Sequence, residues 1–456
     1  MSAPASQTTT CIIGSGPGGL AAARALKRYG IPYEQFERHS DVGGLWDPKN
    51  PGTPVYDSAH FISSKTQSAF TDCPMPDEYP DYPSGREILD YIHHFAERYG
   101  LKDAVRFNTA VERAEPDGKG GWTVTLANGE TKQFANLIVA TGTNWHPNRP
   151  DIPGHFNGTA IHAVDYASPD LFRGKRVMIV GAGNSGCDIA SDAAIHADKA
   201  FISVRRGYHF LPKHIFGMPA DVFAHSGPTL PMPIQQWVLG KLLRLMVGDI
   251  TRYGLPAPDH KVFESHPIVN SELLHHLSHG NIHVKGDIER FDGNDVVFKD
   301  GSREALDVVV FATGYNYNMP YLPEGTVPFR AGRPDLYLTV FGRDLPGFFA
   351  MGFEETNSGG YFLYDEMANC IANAIADRDR DPARAAQFLK ETRTTPDLSG
   401  GIKFIESPRH ANYVDSPTFQ AALKKMAKRY RWTPVDEAAF KAMRVTHKEQ
   451  NRDKAA

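Results

Sequence analysis

Cysteine is scarce in this chain: Cys11, Cys73, Cys187 and Cys370 are the only four in 456 residues. None are spaced C-x-x-C, which excludes a dithiol redox centre of that kind and reads as free buried thiols in a reducing, cytoplasmic compartment. An excess of one charge is missing too. A net charge of −4 lacks the basic face of a nucleic-acid binder. The opening MSAPASQTTT has no apolar signal-peptide core, and no run approaches the ~20 apolar residues of a membrane span. The nearest, WVLGKLLRLMV at 237–247, is short and carries Lys241 and Arg244. It reads as an amphipathic helix that packs on the protein or on a second subunit, so a membrane partner is not expected and a homodimer has a candidate surface. The 19 histidines show no zinc-like spacing. His275, His276 and His279 read as surface residues, and no metal is expected. The length exceeds one ordinary core and fits two domains.

Glycine, by contrast, is placed with purpose. Residues 8–13 form an apolar strand running into Gly14-Ser15-Gly16-Pro17-Gly18-Gly19, an alanine-rich helix over 18–29 stopped by Gly30, and a second strand over 31–37 ending in Glu37. This is a βαβ unit with a dinucleotide loop. Gly14 allows the turn, Gly16 lets the backbone approach a pyrophosphate, and Gly19 lets helix and strand pack closely. The helix N-terminus offers free N–H groups to that pyrophosphate. Glu37 can accept both ribose hydroxyls, which selects a ligand without a 2′-phosphate: FAD or NAD. Gly43-Gly44-Leu45-Trp46 then suits an extended FAD lying along the loop. A strand at 137–139 runs into Ala140-Thr141-Gly142, whose small residues let the cofactor pass near the backbone.

The pattern repeats. After the breakers Pro147, Pro150 and Pro153-Gly154, a strand over 176–180 enters Gly181-Ala182-Gly183-Asn184-Ser185-Gly186, a helix over 187–196 and a strand over 200–204. Where the first unit had Glu37, this strand ends in Arg205-Arg206. Guanidinium groups there favour a 2′-phosphate through charge-assisted bonds, so Asn184, Ser185, Gly186, Arg205 and Arg206 point to NADPH. A helix is expected at 85–99 and a hairpin about Asn128-Gly129. An insertion is expected at 208–268 and a helix at 269–277. Val308 to Phe311 enters a second Ala312-Thr313-Gly314, where the chain returns to its first domain. A buried strand at 348–353, a helix at 364–376 and a frayed end at 449–456 complete the reading. The expected fold is α/β with two Rossmann-like domains, the second inserted in the first. Residues 1–153 and 315–456 form the FAD domain, and 154–314 the NADPH domain.

Between the two motifs lies FNGTAIHAVDY. Phe156, Gly158, His162 and Tyr166 fit F-x-G-x-x-x-H-x-x-x-[YF], by which the chain resembles the flavin-containing monooxygenases, class B flavoproteins. The related Baeyer–Villiger enzymes end this motif in tryptophan. The resemblance implies FAD reduced by NADPH, O2 as co-substrate, and a flavin C4a-hydroperoxide that passes one oxygen to a small organic soft nucleophile, an amine nitrogen or sulfide sulfur. Ketone oxygenation, a decarboxylating oxygenase, or an NADPH oxidase or redox sensor are the alternatives. His162 reads as a linker histidine rather than a base. One departure stands out. The family carries N-x-x-K beside the flavin, and this chain has Ile62-Ser63-Ser64-Lys65. Isoleucine cannot hydrogen-bond there, which leaves Ser63 and Ser64 as the candidate catalytic substitutes.

Overall fold

The computed structural model describes residues 9–227, 230–411 and 413–445. The frayed end expected at 449–456 lies outside them. Two short apolar runs seed two separate sheets. In chain order, the first part supplies β1 (Thr10–Ile13), α1 (Pro17–Tyr29), β2 (Tyr33–Phe36), α2 (Gly85–Arg98) and β3 (Asn136–Val139). The second supplies β4 (Thr159–His162), β5 (Arg176–Val180), α3 (Asn184–His196), β6 (Lys199–Ser203), α4 (Met232–Met246), β7 (Ile282–Lys285) and β8 (Val308–Phe311). The chain then returns with β9 (Phe348–Ala350), α5 (Tyr361–Arg380) and α6 (Ser416–Arg429).

The first sheet has seven strands. Its parallel core runs β9-β3-β1-β2 with Val105–Arg106 beyond β2, and an antiparallel pair, Leu336–Tyr337 and Phe341–Gly342, lies outside β9. The second sheet, β7-β6-β5-β8-β4, is wholly parallel and drawn only from residues between the two halves of the first. The fold is therefore α/β with two dinucleotide-binding units, one inserted in the other. β1 and β3 are fully buried: Ile12 and Ile138 share a core with α1, α2 and α5, while Cys11, Ile13, Leu137 and Val139 pack with Trp122, Val124 and Leu126 of a three-stranded antiparallel sheet on the other face.

The nucleotide helix α1 is held by an unusual core. Its small residues Ala21, Ala22 and Ala25 are buried where α5 packs along it. Among them sits Arg24, fully buried. Its guanidinium donates to Asp72 at 3.0 Å and to Asp365 of α5 at 2.5 Å, and lies 3.8 Å from the ring centre of Phe440. Tyr99 donates a further bond to Asp72 at 2.6 Å. One cation thus joins α1, the 70s loop, α5 and a C-terminal helix.

Two expectations shift. Ile268–Val269 is a short strand paired with Phe210–Leu211, and the helix begins only at Glu272. The Asn270 side chain accepts from Leu273 N–H at 2.9 Å, so the chain turns at Asn270 before the helix can start. The strand expected to reach Phe353 stops at Ala350, because Gly352 at φ +76° turns the chain away. The insertion folds back on the first unit: Ser64 N–H and Oγ donate to Asp221 at 2.7 and 3.0 Å, and His214 meets Asp81 at 2.9 Å. Its helix α4 turns Gln236 and Leu243 inward but leaves Trp237 66% and Leu245 83% exposed. Among the described residues no helix is long and apolar enough to cross a membrane.

Removing Arg24 strands two buried carboxylates. Arg24→Ala is expected to lower stability by about 3–5 kcal/mol, read as a fall in the denaturant midpoint. A loss under about 1 kcal/mol would show that the cluster does not hold the helices together.

Candidate functional site

A cavity of about 630 Å³ runs from the first glycine loop toward the second unit. One end holds Phe36, Glu37, Arg38 and His39 with Thr109 to Glu112. Gly14, Gly16, Pro17 and Gly18 line its middle beside Thr141 and Gly142. Beyond Gly44 and Leu45 the wall is Trp46, Ile62, Met351, Tyr361 and Tyr364, with Glu354 among them. His266, Glu355 and Arg409 also line it.

The two loops are built on one plan. Gly14 has φ +103°, and a Cβ there would sit 2.5 Å from the Ala140 carbonyl oxygen; Gly181 has φ +107°, and its Cβ would sit 2.7 Å from that of Ala312. A Cβ on Gly19 would meet Gly14 O at 2.1 Å, and one on Gly186 would meet Gly181 O at 2.1 Å. Each Ala-Thr-Gly strand end is thus the neighbour against which its glycine loop packs. This explains why the two signals travel together. Gly16 and Gly44 also face each other: a Cβ on Gly44 would be 3.0 Å from the Gly16 Cα. That keeps the backbone bare on the cavity side, the surface a pyrophosphate needs.

Glu37 sits just past β2. One oxygen accepts from Ser15 N–H at 2.7 Å and Ser15 Oγ at 3.1 Å, and the other from His39 N–H at 2.9 Å. The carboxylate is oriented before any ribose arrives. In the second unit, Arg205 is exposed with no ion pair among the described residues, while Arg206 is held by Asp259 at 2.9 Å. Of the expected pair, Arg205 is the one not engaged. The Asn184 side chain accepts from Val269 N–H at 3.1 Å and donates to His266 Nε2 at 3.3 Å. His266 Nδ1 meets the Tyr413 hydroxyl at 2.8 Å. Burial, then Arg409 and His410, push the His266 imidazole well below its ordinary range, so it is neutral. This chain of contacts links the second loop to the cavity.

Ile62 lines the cavity and is 44% exposed to it and to solvent. Ser63 and Ser64 are not among the lining residues. Ser64 is buried, caps the short helix Lys65–Ser68 by accepting from Gln67 N–H, and donates to Asp221. Its hydroxyl is committed to structure, so the substitution of these serines for the family's asparagine has no geometric support here.

The FNGTAIHAVDY motif proves to be architecture. A Cβ on Gly158 would lie 2.4 Å from Asp307 O and 2.6 Å from the Phe156 ring. His162 is fully buried; its Nδ1 accepts from Val164 N–H at 3.1 Å, which leaves Nε2 to donate to Gly314 O at 3.1 Å. Burial pushes its pKa down, so it stays neutral and serves as a tie. The Tyr166 hydroxyl donates to Asp192 of α3 at 2.8 Å.

Residues 7–355 match the flavin-binding monooxygenase-like (FMO-like) family. The chain belongs to that family. It is 35% identical to flavin-containing monooxygenase 5 of Cavia porcellus over 354 residues, which is 72% of this chain and 66% of that protein, so the match spans just under two thirds of the relative. It is 33% identical to the probable indole-3-pyruvate monooxygenase YUCCA9 of Arabidopsis thaliana over 76% of this chain and 85% of that one. Its fold is similar to an open crystal structure of cyclohexanone monooxygenase, with TM-score 0.70 and 18% identity over 94% of this chain and 99% of that one. FMO-like proteins are oxidoreductases that use FAD and NADPH. The bare glycine cradle, the preset Glu37 and the aromatic far wall fit FAD in the first unit. No sequence motif singles out Glu354, His266, Tyr361, Tyr364 or Arg409. Only Glu354 had a signal, an acid just past the carboxyl end of a buried parallel strand.

Gly14→Ala should abolish FAD retention, since the new methyl must displace the Ala140 carbonyl. The flavin-to-protein absorbance ratio after purification reads this directly; retention at the wild-type ratio would contradict the cradle.

Proposed function

We propose that this protein is a cytoplasmic, NADPH- and O2-dependent monooxygenase that places one oxygen atom on a soft nucleophile, an amine nitrogen or sulfide sulfur. The observation that carries this is the pairing of two loops of the same build with opposite charges at their strand ends, Glu37 in one and Arg205 in the other. Residues 1–153 and 315–456 would hold FAD, and 154–314 NADPH, with the 208–268 insertion closing against the first unit. Glu37 holds a ribose, and the N-terminus of α1 with Gly14 to Gly19 holds a pyrophosphate. Arg205 meets the 2′-phosphate, with Arg206 steadied beside it by Asp259. Bound FAD, reduced by NADPH, supplies the activated oxygen. The protein's part is position and dryness: Trp46, Ile62 and Tyr361 make an aromatic and apolar wall, and Phe61 packs against both rings, 5.2 Å from that of Trp46 and 5.6 Å from that of Tyr361. No group in this wall need act as a base on the substrate, because the substrate brings its own nucleophile. The exposed side of α4, with Trp237 and Leu245, is the surface a homodimer would use.

The test is steady-state oxidation of methyl phenyl sulfide with each nucleotide. Sulfoxide should form with NADPH. Arg205→Ala should raise the apparent KM for NADPH roughly tenfold or more, the worth of one charge-assisted contact, and leave that for NADH almost unchanged. Equal effects on both nucleotides would sink the 2′-phosphate assignment.

A further inference from the structure

Beyond the glycine loops, one ionisable group in the cavity has no role in cofactor or substrate binding described so far. Glu354 follows β9 by four residues, on the turn made by Gly352, and is among the residues that line the cavity. Its Oε2 is shielded from solvent and has no hydrogen-bond partner. The groups around it do not neutralise it. Tyr361 and Tyr364 come from α5, and the Tyr364 hydroxyl lies near Gly352, 3.2 Å from where a Cβ would stand. The adjacent carboxylate, Glu355, takes the nearby cations: Arg333 at 2.9 Å and Arg409 at 2.9 Å, with the Tyr317 hydroxyl at 3.3 Å. No ion pair reaches Glu354 among the described residues. Burial pushes its carboxyl up to about 7, against the pull of the backbone N–H groups of Glu354, Phe353 and Gly352. Burial, with the charge of Glu354 behind it, also pushes the Tyr364 phenol up, so that group keeps its proton.

Placement matters as much as protonation. With a ribose at Glu37 and a pyrophosphate at Gly14 to Gly18, the rest of an extended dinucleotide must lie toward Trp46 and Tyr361. Glu354 is on that wall. The reaction proposed above also has a proton to account for. Each turnover takes one NADPH, one O2 and one proton, and returns NADP⁺, one oxygenated product and one water. At this end of the cavity the other ionisable groups are committed: His266 is neutral and tied to Asn184 and Tyr413, Glu355 is paired with Arg333 and Arg409, and burial keeps the Tyr361 and Tyr364 phenols protonated.

We propose that Glu354 is the proton donor of this cavity, handing its carboxyl proton to the oxygen atom that leaves as water. The carboxyl O–H bond of Glu354 breaks as the new O–H bond forms. The carboxylate left behind regains a proton from solvent before the next cycle. No electrons pass through Glu354, because NADPH supplies both. This assignment rests on the monooxygenase reading for its chemistry but not for its first test.

That test uses FAD-loaded wild type and Glu354→Gln, which keeps size and hydrogen-bonding capacity but cannot titrate. The visible absorbance of the bound flavin is followed from about pH 5.5 to 8.5 without NADPH. Wild type should show one transition near neutral pH, and Glu354→Gln none. In sulfoxidation of methyl phenyl sulfide, wild-type kcat should fall as pH rises through that transition. Glu354→Gln should be slower by roughly 100-fold at low pH and indifferent to pH, the loss expected for a general acid. A wild-type spectrum without the transition overturns the proposal without recourse to any variant. So does the same transition in Glu354→Gln, or a variant kcat within about twofold of wild type across the range. If neither protein forms sulfoxide while the spectral difference holds, the titrating carboxyl stands and the monooxygenase reading fails.

Discussion

Two backbone crossovers, tied to each other, carry the rest of this structure. Leaving the first sheet, the chain passes Asn148; returning from the second, it passes Thr313 and Gly314. Asn148 N–H donates to Gly314 O at 2.9 Å, and the Thr313 hydroxyl donates back to Asn148 O at 2.5 Å. His162 adds its bond to Gly314 O from inside the second unit. Burial favours the neutral imidazole here, which can hold this place without the desolvation cost of a charged one. The cavity depends on this tie, because its lining includes residues flanking both crossovers, Thr141 to His146 on one and Asn318, Pro320 and Tyr321 on the other.

Each half of the cavity is then fixed from behind. In the first unit, the Arg24 cluster ties α1, which follows the glycine loop, to α5, which carries Tyr361 and Tyr364. In the second, Tyr56 and Tyr166 donate to Asp188 and Asp192 on successive turns of α3, at 2.9 and 2.8 Å. Tyr56 precedes the Ile62 segment by little sequence, so α3 and the loop that carries Ile62 share an anchor. Burial pushes Asp188 up to about 6, which its bonds from Tyr56 and Asn270 resist.

Much of this was legible because it is backbone geometry. A glycine forced by a carbonyl 2.5 Å from its missing Cβ leaves a mark that survives any surroundings, and both loops carried it. The contrast of Glu37 with Arg205 was legible for the same reason: a strand end has one place to put a charge. What failed to show was long-range. Nothing in the local sequence couples Arg206 to Asp259, 53 residues on, or places Ser64 against Asp221 rather than in the cavity. The helix expected from Val269 ignored two β-branched residues that found a strand partner in Phe210–Leu211. His266 and Arg409 reach the cavity from segments without any motif, and their roles exist only in the assembled fold.

The account's central claim is that these two nucleotide units cooperate to move one atom of O2 onto a substrate. It is tested most directly by mass spectrometry of the product formed from methyl phenyl sulfide by FAD-loaded protein and NADPH under ¹⁸O2 in ordinary water. The account predicts sulfoxide carrying one ¹⁸O atom, formed in step with NADPH consumed. Unlabelled sulfoxide, or NADPH consumption that yields only hydrogen peroxide, would contradict it.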